Sequence, residues 1–237
     1  MKTMDSAAGN VTGGQAQPLL ETVETCTGPN PTAAVVWLHG LGADGHDFEP
    51  LVPQLSWPAA PDIRYVFPHA PVRPVTINGG MAMRAWYDIV SLGSHRNHDR
   101  QGIGQSVEQA AALVQRERDR GIEADRIVVA GFSQGGAIAM QTALRYPEKL
   151  AGLIALSTYL LLEDELESSA AAANHDLPVF FGHGTMDPMV PMQLGRMAAD
   201  HLLGLGYPVE WRQYPMPHAV CPEEVTHINA WLQARLS

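Results

Sequence analysis

The pentapeptide Gly131-Phe132-Ser133-Gln134-Gly135 restricts this 237-residue chain more than any other stretch. It follows the apolar run Ile127-Val128-Val129-Ala130 and opens the helix-like run Gly136-Ala137-Ile138-Ala139-Met140-Gln141. A serine at such a strand-to-helix junction sits in a turn so tight that its backbone is strained. Side chains two residues to either side would collide, which accounts for the glycines. The hydroxyl is then held clear of the backbone above the carboxyl edge of a sheet, the geometry of a nucleophile elbow. The spacing alone recurs by chance, and it is the strand–turn–helix context that makes it informative.

The rest of the chain supplies the sheet such an elbow needs. Ala33 to Leu38 is a continuous apolar run, as expected of a strand buried on both faces. Further strands are predicted at Leu19–Thr25 (an edge), Ile63–Phe67, 127–130, Gly152–Leu156, Pro178–Gly182 and Val209–Tyr214. Helices are predicted from Asp44 to Leu55 with Asp44 as N-cap, along the Ile103, Val107, Ala111, Val114 face, and from the elbow to Tyr146. Three more follow at Glu163–Ala173, along Leu194, Met197, His201 and Leu205, and along Val225, Ile228, Trp231, Leu232 and Leu236. Strands alternating with helices predict an α/β domain with a mainly parallel sheet covered on both faces. Residues 1–17 read as a flexible tail and 18–237 as one domain. Between Pro68 and Gln101 no periodic element is visible, although the segment carries large apolar side chains.

Bulk properties remove several function classes. Lysine plus arginine number 15 against 25 acidic residues, a net charge of −10 that argues against nucleic acid or an anionic membrane surface as partner. An apolar content of 46% is enough for a sizeable core. No run is long enough to span a membrane, and Met1–Gln17 lacks the apolar segment of a signal peptide. Cys26 and Cys221 read as reduced thiols, consistent with a cytoplasmic location. The ten histidines form no metal-ligand motif, so no metal and no cofactor are expected.

A serine hydroxyl needs a base, and the base needs an acid to hold its tautomer. On a parallel sheet these belong in loops beyond the carboxyl ends of strands. Asp187 follows strand 179–182 directly and His218 follows strand 209–214. Asp164 is the competing acid, while Asp176 precedes its strand and belongs to the wrong edge. His183 lies beside Asp187 and reads as a structural histidine. Acyl transfer also requires N–H donors for the developing oxyanion. Gln134, the residue after the serine, is one, and Leu41 in the turn His39-Gly40-Leu41-Gly42 is the other.

These motifs resemble those of the carboxylesterase/phospholipase family of α/β-hydrolases, which includes acyl-protein thioesterases and bacterial carboxylesterases. The matching stretches are Val36–Asp44, Phe67–Pro71, Trp86–Asp88, Gly131–Gly136, Gly182–Pro191 and Tyr214–His218. They span the chain from about residue 19 onwards. The resemblance implies a single-domain α/β-hydrolase without cofactor that cleaves carboxylic esters, with acyl thioesters and lysophospholipids as further candidates. It implies a catalytic triad of Ser133, Asp187 and His218, an oxyanion hole at Leu41 and Gln134, and compatibility with a homodimer. Pro217 departs from the family's usual glycine before the histidine. Ser157-Thr158-Tyr159-Leu160 runs on into Leu161 where many members have proline.

Ser157–Leu177 is too short for a large cap domain, so an open site is expected. Met81, Met83, Trp86, Tyr159, Leu160 and Val190 are candidate walls for an acyl chain, with plain core packing as the competing reading for each. Two other functions fit the same motifs: a non-catalytic binder of acyl ligands, and an acyltransferase using the same triad.

Overall fold

The computed structural model describes residues 18–90 and 98–237; the tail expected at 1–17 lies outside them. Strands β1 (Thr22–Cys26), β2 (Ala33–Leu38), β3 (Ile63–Pro68), β6 (Ile127–Phe132), β7 (Gly152–Leu156), β8 (Val179–Gly184) and β9 (Val209–Tyr214) form one seven-stranded sheet. The short strands β4 (Val72–Val75) and β5 (Met81–Arg84) form a separate antiparallel pair. The order of the large sheet is β1-β3-β2-β6-β7-β8-β9, parallel except for β1. From β2 the chain moves one way to β3, and from β6 it moves the other way to β9. The reversal therefore falls between β2 and β6, and the crevice beyond their carboxyl ends is where a parallel sheet binds ligands.

Each central strand is apolar on both faces because each face has its own helical cover. Ala34, Val36 and Leu38 of β2 point one way and Ala33, Val35 and Trp37 the other. The first face packs against helices α1 (Arg100–Asp119), α2 (Gln134–Arg145), α3 (Glu163–Ser169) and α4 (Met192–Gly204). The second packs against α5 (Pro222–Leu236), through Val225, Ile228, Trp231, Leu232 and Leu236, and against Phe48, Val52 and Leu55. Burying each of these large side chains contributes roughly 1.5–3 kcal/mol gross.

Four expectations need correction. Asp44 to Leu55 is not an α-helix: it folds as a 3₁₀ turn over Glu49–Gln54, with Pro50 and Pro53 inside it, and proline removes the N–H groups an α-helix would use. Asp44 instead accepts the His46 N–H at 2.8 Å in a local turn. The segment after Pro68 is not structureless. Asn78-Gly79-Gly80 turns β4 into β5, with both glycines at positive φ. The buried face of α4 is Gly195, Ala198, Ala199 and Leu202, and Met197 is exposed. Small residues face the sheet there, which hydrophobic spacing does not reveal. On α1 the buried stripe ends in Glu117, a polar residue that three arginines make tolerable inside: Arg64 at 2.7 Å, and Arg116 and Arg120 at 3.1 Å each.

One buried carboxyl has no such partner. Glu224, in the first turn of α5, is fully buried beneath β8, and both its oxygens lack hydrogen bonds within the described residues. A β-carbon at Gly182 would come within 2.0 Å of Oε1. Burial raises this carboxyl from its ordinary 4.5 to about 8. Its neutral form is favoured by folding, so stability is fully present below pH 4.5 and is lost as pH rises from there to about 8. Replacing Glu224 with Gln should therefore stabilise the protein by an amount that grows across that window and is flat above it. Melting temperatures of both proteins measured against pH check this, and a difference independent of pH would refute it.

Candidate active site

The elbow follows β6 without a break. Ser133 has φ 53° and ψ −122°, a strained conformation for a residue with a side chain. It is held from both sides: its N–H donates to the Leu156 carbonyl at 2.9 Å. Its own carbonyl accepts from the Thr158 hydroxyl at 2.7 Å and the Ala137 N–H at 3.2 Å. The flanking glycines are required by close backbone approach. A β-carbon at Gly131 would lie 2.4 Å from the Gly135 carbonyl oxygen, and one at Gly135 would lie 2.3 Å from that of His39.

The turn after β2 is built as carefully as the elbow. His39 is buried, and burial lowers its imidazole to about 4. It is thus neutral, with Nδ1 donating to the Gly40 carbonyl at 2.7 Å and Nε2 accepting the Ala70 N–H at 3.1 Å. The His39 carbonyl accepts the Trp86 indole N–H at 2.9 Å. β2 and β6 are neighbours in register, Leu38 beside Gly131, so the Leu41 turn and Ser133 emerge side by side. Gln134 is the first residue of α2, and its N–H has no intrahelical acceptor.

Of the two candidate acids, the structure sets Asp187 against His218. Asp187 Oδ2 lies 2.6 Å from His218 Nδ1, and Oδ1 accepts the N–H groups of Met189 and Val190 at 2.8 Å each. The Asp187 carboxylate is buried, while the imidazole of His218 is partly exposed and packs on Phe132 at 4.6 Å. Asp164 is exposed on α3. Pro217 leaves the loop intact, its carbonyl accepting the Ala219 N–H at 2.9 Å.

Ser133, Gln134, Leu41 and His218 all line one cavity of about 620 Å³. Its apolar lining includes Ile77, Ile89, Val90, Tyr159, Leu161, Val190 and Leu194. Of the six residues expected to face an acyl chain, Tyr159 and Val190 line this cavity. The other four are corrections. Trp86 is fully buried, because its indole braces the His39 turn. Leu160 packs into the core, leaving the cavity to Leu161. Met81 is exposed on the hairpin, and Met83 lies over Gly42 with its sulfur 3.3 Å from the Asn78 amide, both outside the cavity wall. Among the described residues, no group of three or more His, Cys, Asp or Glu is placed to hold a metal ion.

One working side chain was not anticipated. The Gln134 amide is buried and reads the loop from below: Oε1 accepts the Trp86 N–H and Nε2 donates to the Tyr87 carbonyl, both at 2.8 Å. Its glutamine identity, rather than any residue with an N–H, was the available signal. Asp88 closes the same loop, binding the Thr76 N–H at 2.7 Å and hydroxyl at 2.6 Å.

A family model described as phospholipase/carboxylesterase matches residues 21–236, almost the whole described chain. The chain belongs to this family. It is an α/β-hydrolase. It is 39% identical over 222 residues to a protein named acyl-protein thioesterase 1 from Cryptococcus neoformans, covering 86% of this chain and 93% of that one. It is 43% identical over 214 residues to a protein of the same name from Neurospora crassa, covering 86% and 87%. The crystal structure of Zea mays acyl-protein thioesterase 2 superposes with a TM-score of 0.82 at 29% identity, covering 92% of this chain and all of that one.

The backbone contacts of this hydrolase make a paired prediction. Gly135→Ala must push α2 away from the β2 turn, and should destabilise by about 1–3 kcal/mol or more and abolish turnover. Gly104→Ala, on α1 with open space around it, should stabilise by roughly 0.5–1 kcal/mol with turnover unchanged. Thermal melting and ester hydrolysis on the two variants check both.

Proposed function

We propose that this hydrolase cleaves carboxylic esters and acyl thioesters through an acyl-serine intermediate. Ser133 is the nucleophile, His218 the base and Asp187 the acid that orients it. The observation that carries the reading is the 2.6 Å contact between His218 Nδ1 and Asp187 Oδ2 at the edge of a cavity that Ser133 also lines. An imidazole whose Nδ1–H is committed to a carboxylate presents Nε2 as the basic nitrogen.

In the first half-reaction His218 takes the serine proton as Ser133 attacks the acyl carbon. The oxyanion is met by the N–H groups of Leu41 and Gln134, and His218 returns the proton to the leaving alcohol or thiol. In the second half-reaction His218 activates a water against the acyl-serine, and Ser133 leaves with the proton. The Ser133 backbone is held by its own hydrogen bonds to Leu156 and Thr158, which supports little reorganisation of the nucleophile as charge develops. The apolar walls at Ile77, Ile89, Val90 and Leu194 suit an acyl chain, and the cavity volume falls within the usual range for small-ligand sites. The relatives named acyl-protein thioesterase support including thioesters.

Ser133→Ala should remove nearly all turnover of a short-chain p-nitrophenyl ester and all labelling by a fluorophosphonate. Asp187→Asn should cost on the order of 10⁴ in kcat. Full turnover by the serine variant would overturn the mechanism, and a comparable loss on Asp164→Asn would reassign the acid.

A further inference from the structure

The Asp187 turn rests on a second histidine that takes no part in the proton transfers above. His183, in β8, is fully buried. Its Nε2 lies 2.9 Å from the Val190 carbonyl oxygen and 3.6 Å from Asp187 Oδ2. A carbonyl oxygen only accepts, so Nε2 carries the proton and donates to it. The residue Val190 is thus held at both ends: His183 takes its C=O, and Asp187 Oδ1 takes its N–H at 2.8 Å. With Oδ1 committed there and to Met189, Oδ2 is left turned toward His218.

The far side of the ring is shaped to keep it there. Nδ1 has no hydrogen-bond partner within the described residues, as this tautomer requires of a buried nitrogen with no donor nearby. It faces Gly195 of α4, where a β-carbon would come within 2.3 Å. Trp211 of β9 stacks alongside at 6.1 Å, and the Arg196 guanidinium lies 5.5 Å from that indole. The charged and titratable groups around the ring are thus Asp187, His218 and, beyond Trp211, Arg196. Burial lowers the His183 imidazole from its ordinary value, against the pull of the Val190 carbonyl and Asp187, which favours the neutral ring.

We infer that His183 is a positioning residue for the acid: by holding the Val190 carbonyl it fixes the turn that aims Asp187 Oδ2 at His218, and Gly195 leaves its ring the room to do so. The inference rests on the triad reading above. A catalytic group misplaced by about 1 Å can cost on the order of 10² in rate, and the Asp187 turn is short enough for one lost hydrogen bond to move it.

The test compares three variants by ester kinetics, fluorophosphonate labelling and thermal melting. His183→Leu should lower kcat by about 10- to 100-fold with KM nearly unchanged, and slow labelling of Ser133 by the same factor. His183→Gln places an amide N–H where the imidazole Nε2–H was, and should restore most of kcat. Gly195→Ala keeps the donor but crowds the ring, and should behave like His183→Leu.

The inference is overturned if His183→Leu lowers only the melting temperature, with kcat per labelled serine and KM both unchanged. It is equally overturned if His183→Gln is as impaired as His183→Leu. Should His183→Leu not fold, full kcat in Gly195→Ala, or its loss in His183→Gln, overturns it. Asp187→Asn separates the two levels. Full turnover in that variant removes the triad assignment itself, whereas loss there without loss in the His183 and Gly195 variants removes only the role of His183.

Discussion

The site depends on two backbones brought into contact. The first turn of α2 lies against the end of β2 so closely that a β-carbon at Gly135 would lie 2.3 Å from the His39 carbonyl oxygen and 2.5 Å from that of Leu38. Only glycine allows that approach. Because β2 and β6 are adjacent and parallel, the contact sets the turn after β2 beside Ser133. The N–H groups proposed for the oxyanion are therefore placed by the sheet itself, at the point where strand order reverses. Both faces of that sheet are covered, so the strands cannot slide in response to what happens at their ends.

Around this contact lies a set of buried side chains whose hydrogen bonds run to backbone rather than to one another. His39 holds Gly40 and Ala70, Gln134 holds Trp86 and Tyr87, Thr158 holds Ser133, and Trp86 holds His39. Ser106 binds the Trp86 carbonyl in the same way. Leaving one of these backbone groups buried and unpaired costs about 1–3 kcal/mol, so each bond excludes alternative loop conformations. The loops of the site are consequently ordered by interior chemistry, although they lie at the molecular surface.

The sheet was legible because strands buried on both faces appear as unbroken apolar runs: the limits of 33–38, 152–156 and 209–214 agree with the structure. The closing helix was legible because Val225, Ile228, Trp231, Leu232 and Leu236 carry the full 3.6-residue signal. The face of α4 was not, since it uses Gly195 and Ala198 where periodicity looks for large side chains. The β4–β5 hairpin carried a readable Asn-Gly-Gly turn, but Pro74 and the near-absence of alternation hid its strands. At the site, residues that follow a strand directly could be placed from sequence. The cavity walls could not, because Ile77, Ile89 and Leu161 reach it through loop geometry that no local pattern encodes.

That hairpin belongs to no strand of the main sheet; it pairs with itself and is tied to the β2 turn by the Gly42 N–H to Arg84 carbonyl bond at 2.8 Å. Ile77, at its tip, lines the cavity, and Ile89 and Val90 continue the wall just beyond it. Part of the cavity lining thus hangs from a two-stranded hairpin outside the main sheet, while Val190 on the same cavity is bound to Asp187. A substitution at Ile77 therefore alters the cavity lining at a point carried by no strand of the main sheet, whereas one at Val190 alters a residue whose N–H Asp187 binds.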